Sequence, residues 1–149
     1  MLLVMSQRLP TLEDIPSCAD LRAVGITPPA WLEDLETAFG PSAPRRLLRA
    51  VAGRQIDIPT RDVSGSALDR AVGPRVARWM QREMGFGRLR VPLAGAAVGA
   101  RRRVVIRAWL AAGRSLEETA AAAQCSARYV STMKARLRAQ GFLSEGKSA

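Results

Sequence analysis

Apolar residues in this chain recur at helical spacing over several stretches and alternate with polar ones over two short ones. Trp31, Leu32, Leu35, Ala38 and Phe39 form a stripe behind Pro28-Pro29 that stops at Gly40-Pro41, which predicts a helix. Ala43, Leu47, Leu48 and Val51 predict a second amphipathic helix, and Val76, Trp79, Met80 and Met84 a third. Gln55-Ile56-Asp57-Ile58 and Arg88-Leu89-Arg90-Val91 alternate as half-buried strands do. Residues 1–27 lack such a period. Pro10, Pro16 and Gly25 interrupt them, and the segment is expected to be loosely ordered.

The middle of the chain repeats itself at a spacing of 33 residues, with 38–59 matching 71–92 without a gap. Arg45 falls on Arg78, Arg49 on Arg82, Leu47 on Met80, Val51 on Met84 and Ile56 on Leu89. Each copy reads Gly-Pro, an amphipathic helix, a glycine, then an alternating strand closed by proline. Pro41 and Pro74 suit a first helical turn, where a missing N–H does no harm. The spacing is that of ankyrin arrays, but their Thr-Pro-Leu-His signature is absent and a solenoid is not expected. Units this small have little core of their own, and two strands make a marginal sheet unless something covers it. Residues 28–92 are therefore expected to form a dimerisation domain intertwined with a second chain. Its dimer core would hold Leu47, Val51, Trp79, Met80 and Met84. The alternative is that the two units pack together within one chain.

Residues 93–100, with Gly95 and Gly99 among small side chains, read as a flexible hinge. Beyond them the pattern is helical and basic. A helix opening at Arg101-Arg102-Arg103 would bury Val104, Val105, Ala108, Trp109 and Ala112, with Gly113 as its C-cap. Ser115 and Glu118 make a capping box for a helix from Leu116 to about Ala123. A turn at Gln124-Cys125 leads to Ser126, the cap of a third helix reaching about Gln140. Small Ala120 suits a close helix crossing, and Val130 and Met133 point inward. Gln124 stands where such turns usually carry glycine. The fold expected is mostly α, with an N-terminal helix/strand dimerisation domain containing two short strands. A C-terminal three-helix helix-turn-helix domain would span 101–143, followed by a flexible tail over 144–149.

Charge sharpens this picture. The chain carries +10 overall, yet its first forty residues set Arg8 and Arg22 against six carboxylates, a net −4, which leaves +14 for the rest. So basic a body attracts polyanions, because each phosphate contact releases condensed counterions. Arginine outnumbers lysine 21 to 2, and the guanidinium fork suits phosphates and guanine edges. The third helix would turn Ala127, Arg128, Ser131 and Thr132 to base edges in a major groove. Arg101, Arg102, Arg103, Arg114, Ser115, Tyr129, Lys134, Arg136 and Arg138 are the candidate phosphate ligands.

The remaining composition narrows the chemistry. Cys18 and Cys125 are the only cysteines and histidine is absent, which argues against a one-chain tetrahedral zinc site and against the commonest general base. No cofactor, metal or catalytic residue is expected, and no carboxylate cluster suited to metal-assisted phosphoryl transfer stands out in the basic part. No apolar run reaches the ~18 residues of a membrane span, and Met1 to Met5 are too few for a signal core. A cytoplasmic protein without a membrane partner is expected.

Over residues 38–138 the chain resembles the Mor transcription-activator family, the middle- and late-operon regulators of Mu-like phages. The resemblance rests on the helix-glycine-strand-proline unit ending Gly87-Arg88-Leu89-Arg90-Val91-Pro92. It continues through the basic helix Arg101 to Ala112 and from Ser115-Leu116-Glu117-Glu118-Thr119-Ala120 to Tyr129-Val130. It implies a homodimer with one reader per chain, binding double-stranded DNA near a promoter and recruiting RNA polymerase. It also implies a strand close to DNA, which brings in Arg88 and Arg90. The family's usual Gly-Gly before that strand is Gly85-Phe86 here, with Gly87 one place on. The acidic first forty residues lie mostly outside the resemblance and are a candidate surface for polymerase. Sequence thus favours a site-specific transcription regulator that is not an enzyme. The alternative is a DNA-handling protein of another class, such as a terminase small subunit or a recombinase accessory factor.

Overall fold

The computed structural model describes residues 8–145. The described chain is mostly helical with one two-stranded antiparallel sheet. It divides into two compact units, one of residues 15–100 and one that joins the residues up to Asp14 to those from Arg101 onward.

In the 15–100 unit, α1 (Cys18–Arg22) precedes α2 (Ala30–Phe39) and α3 (Ser42–Val51), which runs into β1 (Gln55–Ile58). Then come α4 (Ala67–Val72), α5 (Pro74–Met84), β2 (Gly87–Arg90), a 3-10 turn at Ala94–Ala96 and the start of α6 (Val98–Ala111). The strands pair in the register Gln55↔Arg90, Ile56↔Leu89, Asp57↔Arg88 and Ile58↔Gly87. Val91 extends the pairing, accepting from Gly53 N at 2.9 Å and donating to Arg54 O at 2.8 Å.

One apolar cluster holds this unit together, drawn from both copies of the repeat: Ala43, Leu47, Leu48, Ile56 and Ile58 from the first, Val72, Ala77, Met80 and Val91 from the second, with Leu35 and Leu68 from the residues just ahead of each. α4 and α5 lie against β1, so the sheet receives its cover from the same chain. This removes the physical reason for expecting a partner chain, because each copy supplies the apolar face that the other lacks. Leu47 and Met80, read from sequence as dimer core, are both 0% exposed in the core of one chain. Val51, Trp79 and Met84 are half-buried against that same core. Trp79 meets Phe39 edge to face at 5.7 Å between ring centres.

Three stretches are more ordered than their sequence suggests. Residues 1–7 lie outside the described residues, but the rest of the segment read as loose has defined structure. Asp14 closes a turn by accepting from Thr11 N at 2.8 Å and from Arg8 Nη2 at 2.9 Å. Ser17 and Asp20 form a full capping box for α1, Glu36 accepts from Cys18 N at 2.8 Å, and Ile15, Cys18, Leu21 and Val24 are buried. Burial, then the neighbouring Glu36, pushes the Cys18 thiol up to about 12, so it is an inert core group.

The stretch read as a hinge, 93–100, contains the 3-10 turn and the first residues of α6. Gly95 is buried there so close to Pro16 that a Cβ would stand 2.9 Å from its carbonyl oxygen. Smallness thus serves close packing at this position rather than freedom. The third stretch is α4, a helix of six residues that is too short for a periodic signal. Ser66 caps it by accepting from Asp69 N at 3.1 Å. Of the expected tail, Ser144 and Glu145 are exposed and 146–149 lie outside the described residues.

Candidate nucleic-acid interface

The second unit is built on α6, α7 (Leu116–Ala123) and α8 (Ala127–Ala139). α7 and α8 fall where their caps place them. Ser115 Oγ accepts from Glu118 N and Glu118 Oε1 accepts from Ser115 N, both at 3.0 Å. The Ser115 backbone bond, helped by its side chain and by Arg114, holds the Glu118 carboxyl below its ordinary value. Ser126 Oγ accepts from Tyr129 N at 3.0 Å to open α8.

Between the helices Gln124 adopts the left-handed conformation, φ 52° and ψ 53°, in the position usually given to glycine. Its N–H reaches Ala120 O and Ala121 O, and Cys125 N follows onto Ala120 O at 3.0 Å. These bonds satisfy the last carbonyls of α7 and turn the chain sharply. Ala120, Ala123, Val130, Met133, Leu137 and Leu143 are buried. In α6 the buried side is Val104, Val105 and Ile106, whereas Ala108 and Trp109 are half-buried and Ala112 is exposed. The expected apolar face is therefore shifted: Ile106 joins it and Ala112 leaves it.

α8 shows the opposite side to solvent. Arg128, Ser131, Thr132 and Ala135 are exposed and, at 3.6 residues per turn, lie within about 100° of arc. Ala127 is half-buried at the first turn, and Tyr129 is exposed beside it. Thr132 Oγ1 donates to Arg128 O at 3.1 Å, so this hydroxyl offers its lone pairs outward more readily than its proton. Lys134, Arg136 and Arg138 continue the basic character, and α8 contains no carboxylate. Among the described residues no ion pair engages Arg128, Lys134 or Arg136. Arg138 is half-buried with its Nε shut from solvent, so less of its guanidinium faces outward.

The arginines of α6 are placed differently from the sequence expectation. Arg102 Nε donates to Ala123 O, the end of α7, at 3.0 Å. Arg103 Nη2 donates to Gln140 Oε1, just past α8, at 2.7 Å. Arg101 Nη1 donates to Leu12 O at 3.1 Å. All three are half-buried and tie the unit together, where sequence assigned them to phosphate. Arg107 Nε, donating to Phe142 O at 2.9 Å, and Trp109 Nε1, donating to Pro10 O at 2.8 Å, do the same. Neither was legible in sequence, because each partner is a carbonyl in an irregular segment. Arg114 stacks over Trp109 at 5.8 Å and approaches Glu118 at 3.6 Å, and Ser115 is occupied as a cap. Arg88 and Arg90 are exposed on β2 of the other unit, with Arg88 Nε 3.8 Å from Asp57 Oδ1.

A stability effect follows for Arg102. Arg102→Ala removes a charged donor from the last turn of α7 and is expected to cost about 1.5–3 kcal/mol. Denaturant unfolding of the full chain measures it. Unchanged stability, with the salt slope of DNA binding reduced by about 1, would return Arg102 to the phosphate set.

Compared with protein-family models, with curated proteins and with solved structures, the chain matches none.

Proposed function

We propose that this chain is a site-specific, DNA-binding transcription regulator in which α7, the Gln124 turn and α8 work as a helix-turn-helix. α8 enters the major groove. The observation that carries the reading is the outer face of α8: an arginine, a serine and a threonine in one exposed row, flanked by Lys134 and Arg136, which no ion pair engages among the described residues. Arg128 pairs bidentately with guanine O6 and N7, and Ser131 and Thr132 meet neighbouring base edges. Ala127 and Ala135 leave room for a thymine methyl or the backbone. Tyr129, Lys134 and Arg136 position the helix on phosphates, with Arg138 and Arg114 lesser contributors. The likeness to the Mor activators adds recruitment of RNA polymerase as the mode of action. The protein acts by binding and carries out no catalysis.

Selection from a random duplex library at near-physiological salt tests the reading. An enriched motif that, placed beside a promoter, alters transcription by RNA polymerase is the expected result. Binding to every duplex alike, vanishing as salt rises, would reduce the protein to a basic polyanion binder. An enriched motif with no transcriptional effect would favour the terminase-like or recombinase-accessory reading.

A further inference from the structure

The register of the sheet carries more than its two strands. At the 33-residue spacing of the repeat, Leu89 is the counterpart of Ile56, and it is also the residue Ile56 pairs with. Gln55 pairs with Arg90, the counterpart of Asp57, and Asp57 pairs with Arg88, the counterpart of Gln55. Exchanging the two copies therefore maps this part of the ladder onto itself, about a two-fold centre at the Ile56–Leu89 pair.

The surrounding structure obeys the same exchange. α3 answers to α5, and the last six residues of α2 answer to α4. Gly40 and Gly73, one spacing apart, end those helices with φ 85° and 84° and ψ 176° and 163°. Leu35 and Leu68, Leu47 and Met80, and Ile58 and Val91 are counterpart pairs, and all six lie in the one buried cluster.

Equivalent strands paired antiparallel about a two-fold are what two identical chains make at an isologous interface. We infer that the 15–100 unit is a pseudo-dimer closed within one chain, so that each chain brings a single reader to a single, non-palindromic DNA half-site. The second clause rests on the function proposed above; the first does not.

The exchange fails where it matters for DNA. The second copy leads through Pro92 into α6, α7 and α8, while the first leads through Pro59 into a loop and α4. One pseudo-dimer thus carries one reader, where an isologous dimer would carry two and require an inverted repeat. Most of the apolar surface that could bind a second chain is also covered within this one, with Trp31, Phe39, Trp79 and Met84 half-buried against the core. Among the described residues of this unit, the large apolar side chains left exposed are Phe86, Leu93 and Val98. Three side chains fall far short of the ~2,000 Å² or more typical of an obligate interface.

Two measurements on the full-length chain test this. Sedimentation equilibrium, alone and with the duplex enriched by selection, is expected to give the one-chain mass of 16.1 kDa and one chain per non-palindromic site. A stable two-chain mass, or two chains on an inverted repeat, would overturn it. Strand pairing is read separately with Gln55→Cys and Arg90→Cys together in a Cys125→Ser background, placing thiols on exposed partner positions. Oxidation is expected to link them within one chain, leaving the mass on a denaturing gel unchanged. A covalent two-chain product would show that the strands pair between chains and would end the proposal. One-chain mass and an intrachain link without any enriched duplex would sustain the pseudo-dimer and defeat the DNA reading instead.

Discussion

Leu47→Ala is expected to destabilise the 15–100 unit by about 2–5 kcal/mol. Leu47 is wholly buried in the cluster that joins the two copies of the repeat, with its counterpart Met80 in the same cluster. Truncation loses the transfer free energy of the deleted carbons and leaves a cavity that both copies would have to collapse to fill. A domain has only about 5–15 kcal/mol in total, so the loss is a large fraction of what holds the unit together. Chemical denaturation followed by Trp31 and Trp79, both half-buried against this core, reads the effect. A midpoint unchanged within error would mean that Leu47 is not packed in the core of the unit.

Arg128→Ala is expected to weaken binding to the selected duplex by about 1–3 kcal/mol while leaving weak binding to random DNA nearly intact. Arg128 stands exposed at the start of α8, without an ion-pair partner among the described residues, in one row with Ser131 and Thr132. A guanidinium there is free to make a two-bond contact with guanine, and its loss removes discrimination at one base position. Arg136→Ala is the internal control. Arg136 lies off that row, and its removal should weaken selected and random duplexes alike and lower the salt slope by about 1. Equal losses on both duplexes for Arg128→Ala would move that residue to the phosphate set and leave the reader without its main specificity contact.

Local chemistry wrote part of this molecule into its sequence. The Ser115–Glu118 box and the Ser126 cap are interactions over three residues, so the starts of α7 and α8 could be placed to the residue from sequence. Alternation located both strands, with β2 beginning one residue early at Gly87. The 33-residue repeat was also plain, and carried four residues further back it would have predicted α4 from α2.

What tertiary structure decided was the partner of each group. An apolar face says that it must be buried, but not whether its cover comes from the same chain. Here Leu47 and Met80 are buried in one cluster of a single chain, and the strands pair with each other about Ile56 and Leu89. A guanidinium in sequence is only a charge with five donors. Arg102 and Arg103 look as free as Arg128, yet their donors reach Ala123 O and Gln140 Oε1, residues more than twenty positions away. Capping and periodicity act over one or two turns and are legible in a string of residues. The destination of a long side chain depends on which distant backbone comes within its reach, and only the folded chain fixes that.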